Sequence, residues 1–68
     1  MNPYSIRQLD AEGQTLSEKQ VVAPSYNGAL RELKEIVDQA TRIKVYNSEG
    51  EKAGEMSVDY WRLKGRGR

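Results

Sequence analysis

"SYNGALRELKEIVDQA", residues 25–40, is the stretch on which the fold turns. Tyr26, Ala29, Leu30, Leu33, Ile36, Val37 and Ala40 recur at steps of three and four, which lines them along one side of a helix. Arg31, Glu32, Lys34, Glu35 and Asp38 fall mostly on the other side. Ser25 or Asn27 supplies an N-cap oxygen, and Pro24 keeps the helix from running back into what precedes it. The spacing predicts a helix from Tyr26 to Ala40.

The period changes on both sides of this stretch. Upstream, "YSIRQL" (4–9) alternates, with Tyr4 and Ile6 on one face, and "QTLSEKQVVA" (14–23) returns as a second strand. "DAEG" (10–13) joins them: Asp accepts backbone N–H groups ahead of it, and Gly tolerates a left-handed backbone. Downstream, "TRIKVY" (41–46) is rich in β-branched residues, and "EKAGEMSVDY" (51–60) alternates through Met56, Val58 and Tyr60. "NSEG" (47–50) repeats the turn 37 residues after "DAEG". At the same offset Ile6-Arg7 matches Ile43-Lys44, and Glu18 matches Glu55.

A three-residue loop with a bulge would place Tyr4, Ile6, Leu16 and Val22 on one side of the first hairpin. The same loop in the second would oppose Ile43 and Val45 to Met56, Val58 and Tyr60, so a further bulge is expected at Gly54.

The expected fold is α+β: a two-layer ββαββ sandwich, in which two β-hairpins form a four-stranded, mainly antiparallel sheet with one amphipathic helix on one face. Core candidates are Tyr4, Ile6, Leu30, Leu33, Val37, Ile43, Val45, Met56, Val58 and Trp61. One helix cannot cover both faces of four strands. Ser5, Arg7, Ser17, Lys19, Lys44 and Tyr46 are expected on the open face, solvated or paired with another copy.

The order hairpin, Ala23-Pro24-Ser25, helix, strand resembles the ubiquitin-like β-grasp over residues 4–46, in topology alone. A β-grasp-like strand order is therefore the alternative architecture. Conjugation in that family requires a chain ending in paired glycines; this one ends Gly67-Arg68, so the resemblance implies no conjugation.

A chain of 68 residues makes one domain near the lower limit for an unaided core. It has no Cys and no His, which removes disulfides, thiolate chemistry, the commonest transition-metal ligand and the usual base near neutrality. No signal-like or membrane-spanning run is present, so a cytoplasmic location is expected. Residues 1–59 carry seven Lys and Arg against ten Asp and Glu, a balance of −3. Residues 60–68 carry Arg62, Lys64, Arg66 and Arg68 and no acid, a balance of +4. This divides the chain into a domain over 1–61 and a basic, flexible tail over 62–68.

Turn formation accounts for the acids of Asp10-Ala11-Glu12 and Asn47-Ser48-Glu49, which lack the ligand count of a calcium loop. Gly28 alone does not make a phosphate loop. The remaining hydroxyls, lysines and carboxylates, such as Glu55 and Asp59, form no recognisable catalytic set. No catalytic, cofactor-binding or metal site is assigned, and neither a small-molecule substrate nor a membrane is expected. The favoured function is a non-enzymatic protein-interaction module, binding a partner protein or forming its own homodimer. The alternative is nucleic-acid binding through "DYWRLKGRGR", with Trp61 or Tyr46 stacking on bases and Arg62, Lys64, Arg66 and Arg68 meeting phosphates. Burial of Trp61 would separate the two.

Overall fold

The computed structural model describes residues 1–64. Two hairpins form where alternation predicts them. β1 (Asn2–Leu9) pairs antiparallel with β2 (Thr15–Ala23), and β3 (Arg42–Tyr46) with β4 (Lys52–Ser57).

The two turns are built alike. Asp10 Oδ1 accepts the backbone N–H groups of Glu12 and Gln14, both at 2.9 Å. Asn47 Oδ1 accepts those of Glu49 and Glu51 at 2.9 and 3.0 Å. Gly13 (φ +86°) and Gly50 (φ +83°) take the left-handed position that side chains resist. Beyond each turn, one residue bulges. Leu16 is the extra residue between the pairs Leu9–Thr15 and Gln8–Ser17. Ala53 is the extra residue between Tyr46–Lys52 and Val45–Gly54. Leu16 and Ala53 again differ by 37 in number, so the repeat runs from turn to bulge.

β1 and β3 join the hairpins, antiparallel, with Arg7 opposite Lys44. Lys44 is the counterpart of Arg7 in the repeat, so this pair marks an approximate two-fold axis. The sheet order β2-β1-β3-β4 is symmetric about it. Every neighbouring pair is antiparallel, which makes this the two-hairpin sheet and not a β-grasp, whose first strand has a parallel neighbour. β2 and β3 run in the same direction with β1 between them, so their connection must cross one face of the sheet.

That connection is less helical than its periodicity predicts. α1 spans only Tyr26–Arg31, with Ser25 Oγ as N-cap accepting the Gly28 N–H at 3.2 Å. The reason lies in β1. Gln8 is 5% exposed; its Nε2 donates to the Glu35 carbonyl at 3.0 Å and its Oε1 accepts the Val37 N–H at 2.8 Å. A helix through residues 35–37 would use those backbone groups itself and leave a buried amide unpaired.

The last strand is also shorter than expected. β4 stops at Ser57, and α2 (Val58–Lys64) follows. Ser57 Oγ accepts the Tyr60 N–H at 3.0 Å, capping the new helix. Val58 and Trp61, three apart on α2, both enter the core, and α2 continues past Trp61 to Lys64.

One cluster forms the core: Ile6, Val21, Ala23, Ala29, Leu30, Leu33, Ile43, Val45, Val58 and Trp61, flanked by Tyr4, Tyr26, Ile36, Ala40 and Met56. Val37, expected there, is outside it and half-buried. Val21 and not Val22 opposes Tyr4, and Val22 is 58% exposed. Ser17 and Lys19 oppose Gln8 and Ile6, which puts them on the helix side and corrects their assignment to the open face. The second-hairpin bulge falls at Ala53, next to the expected Gly54. Gly54 has another role: the Tyr26 ring lies across it, and a Cβ there would overlap the ring's Cζ and Cε1.

Candidate interaction surface

The sheet face without helices collects the residues that alternate against the core. Glu18, Arg7, Lys44 and Glu55 form one row across all four strands. Ser5, Gln20, Tyr46 and Lys52 lie to one side of this row, and Arg42 to the other. Strand register alone brings them together.

Two carboxylates organise the charges. Glu55 meets the Arg42 guanidinium at 2.7 Å and the Lys52 ammonium at 2.6 Å. The Lys52 and Arg42 hydrogen bonds lower the Glu55 carboxyl to about 2 and, from the same contact, raise Lys52. Arg7 Nε stands 3.6 Å from Glu18, and its guanidinium lies over the Tyr46 ring, 4.6 Å from the centroid. Gln20 Nε2 donates to Ser5 Oγ at 3.0 Å. Among the described residues Lys44, at the centre, has no ion-pair partner. A hollow of about 410 Å³ opens between Ser5, Arg7, Gln20, Tyr46 and the second turn.

The face is basic on an acidic body. Arg7, Arg42, Lys44 and Lys52 against Glu18 and Glu55 give +2. The rest of residues 1–59 has Lys19, Arg31 and Lys34 against eight acids, or −5, which restores the −3 of that segment.

Sequence reasoning nominated a different group, which lies partly outside the described residues. Trp61 is 3% exposed and packs in the core, so its ring offers no face to a base. Arg62 is exposed on α2, and Lys64 ends that helix. Arg66 and Arg68 lie outside the described residues. Tyr46 is half-buried with Arg7 over its ring. Arg42 and Lys52, which sequence reasoning missed, join Glu55 only through the hairpin register.

Among the described residues no set of three His, Cys, Asp or Glu side chains could hold a metal ion. The displaced titrations lead away from neutrality: Glu55 falls, Lys52 rises, and burial raises the Tyr26 phenol. None of these groups is poised to exchange a proton near pH 7. Among the described residues no helix is long and apolar enough to cross a membrane. The chain matches no protein-family model, no curated protein and no solved structure.

Proposed function

We propose that the chain is a non-enzymatic interaction module whose helix-free sheet face receives an acidic surface of a partner protein. The observation that carries this reading is the partition of charge: +2 on one face and −5 on the rest of residues 1–59. Such asymmetry steers and orients an oppositely charged partner more than it adds raw affinity. Lys44 supplies the central cation, Glu55 holds Arg42 and Lys52 in place, and Arg7 rests over the Tyr46 ring. The charge also opposes face-to-face pairing of two copies.

Nucleic acid fits the same face less well. A single-strand binder joins an open aromatic platform to a cationic track. Here Arg7 covers the Tyr46 ring, Trp61 is buried, and carboxylates interrupt the cations.

The test is a titration of 15N-labelled protein with a poly-glutamate peptide and, separately, with a single-stranded oligonucleotide at two salt concentrations. Amide shifts at Ser5, Arg7, Lys44 and Tyr46 with the peptide, abolished by Lys44→Glu, are expected. Shifts with the oligonucleotide alone would transfer the reading to nucleic acid, and no shifts on this face with either would end it. Light scattering over a concentration series should give a monomer; a dimer whose contacts map to this face would contradict the proposal.

A further inference from the structure

We infer that residues 32–40 form a two-state segment, latched in its irregular state by the Gln8 side chain and able to wind into a continuation of α1 when the latch is released. Four observations lead there.

The first is the apolar periodicity, which runs unbroken from Tyr26 to Ala40 although helical backbone stops at Arg31. The second is that both states bury nearly the same side chains. Leu33 lies in the core, and Ile36 and Ala40 pack against it, as a continued helical stripe would require. The hydrophobic term is therefore largely common to the two states, and backbone hydrogen bonding decides between them.

The third concerns those bonds. Among the described residues, the N–H groups of Lys34, Glu35, Ile36, Asp38 and Gln39 find no partner within the chain, and a helix would satisfy them. Against this stand the two bonds of buried Gln8, to Glu35 and Val37. Gln39 adds strain to the irregular state, with φ +77° on a residue that carries a Cβ. Fourth, the span fits. A helix over the fifteen residues from Tyr26 to Ala40 would be about 21 Å long, close to the roughly 24 Å length of β1 that the crossover must traverse.

The two states present different surfaces. In the latched state a groove of about 390 Å³ lies between Leu33, Lys34, Glu35 and Val37 on one wall and Ser17 and Lys19 on the other. Winding rebuilds that first wall, so any ligand that distinguishes the two walls shifts the equilibrium.

The experiment replaces the latch with an apolar side chain of similar length, Gln8→Met, and reads backbone Cα chemical shifts in the full chain. Shifts at residues 33–38 should move to helical values, with a stronger 222 nm signal and intact β1–β3 cross-strand NOEs. Irregular shifts in a folded Gln8→Met protein would overturn the inference. A second pair decides the matter if Gln8→Met does not fold. Gln39→Ala should move the shifts at 34–37 toward helix, and Gln39→Gly, which accepts the positive φ, should move them away. Identical shifts in both variants would equally overturn it.

Discussion

Adding one methyl group at Gly54 should destabilise the protein through one contact, with Tyr26. The Tyr26 ring crosses β4 at this glycine so closely that a Cβ would overlap Cζ and Cε1 and stand 2.6 Å from the hydroxyl oxygen. Two opposing effects set the magnitude for Gly54→Ala. Loss of glycine's freedom in the unfolded chain stabilises by about 0.4–1 kcal/mol. Displacing the half-buried Tyr26 ring from its packing against the core costs about 1–3 kcal/mol. The ring cannot sink inward, because its own side of the sheet is filled by the core, so the cost dominates. A net loss of about 1–2 kcal/mol is expected, a large fraction of the roughly 3–5 kcal/mol that one small core supplies. The assay is urea unfolding followed by Trp61 fluorescence, completed as a double-mutant cycle with Tyr26→Ala. In the Tyr26→Ala background the same methyl should be neutral or stabilising, giving a coupling of about 1–3 kcal/mol. Equal effects of Gly54→Ala in both backgrounds would refute the close approach and with it the reach of the Tyr26 ring from α1 to β4.

Three further outcomes follow from the geometry. Trp61 should emit at short wavelength and resist aqueous quenchers, and Trp61→Ala, at a cost of about 3–5 kcal/mol, should leave the chain largely unfolded by circular dichroism; a solvent-exposed spectrum would contradict its place in the core. Glu55 titrates at about 2 in the folded chain against an ordinary 4.5, so its ion pairs contribute stability above about pH 4.5 that is lost as pH falls toward 2. Glu55→Gln should flatten the stability profile in that window, and an unchanged profile would show that the pairs with Arg42 and Lys52 do not form. Asp10→Ala and Asn47→Ala each remove an oxygen that accepts two turn N–H groups, and each should lower stability by about 0.5–2 kcal/mol in thermal unfolding.

The readable features of the sequence are those determined by near neighbours. Asp10 and Asn47 fold their turns with oxygens reaching only two and four residues ahead, and Ser25 caps α1 from three residues away. Alternation found both hairpins for the same reason. The helix end was not readable locally, since Gln8 acts on Glu35 and Val37 from 27 and 29 positions away. Strand alternation through Met56, Val58 and Tyr60 imitated a longer β4, although Ser57 with Asp59 two residues on carried a helix-start signal. Leu16 illustrates a third limit: one bulged residue turns Ser17 and Lys19 to the helix side and Val22 to solvent. The basic face required everything at once. Arg42 and Lys52 reach Glu55 only through the β3–β4 register, and Arg7 reaches Lys44 only through the joining of the two hairpins.

The β1–β3 register tests the whole account most directly, because it sets the symmetry axis, the core side and the charged face together. A NOESY spectrum of the labelled protein should give cross-strand contacts placing Ile6 opposite Val45 and Arg7 opposite Lys44. A register displaced by one residue would contradict it, since Lys44 and Tyr46 would then leave the face that Arg7 occupies, and a parallel pairing of β1 with β3 would contradict the sheet topology.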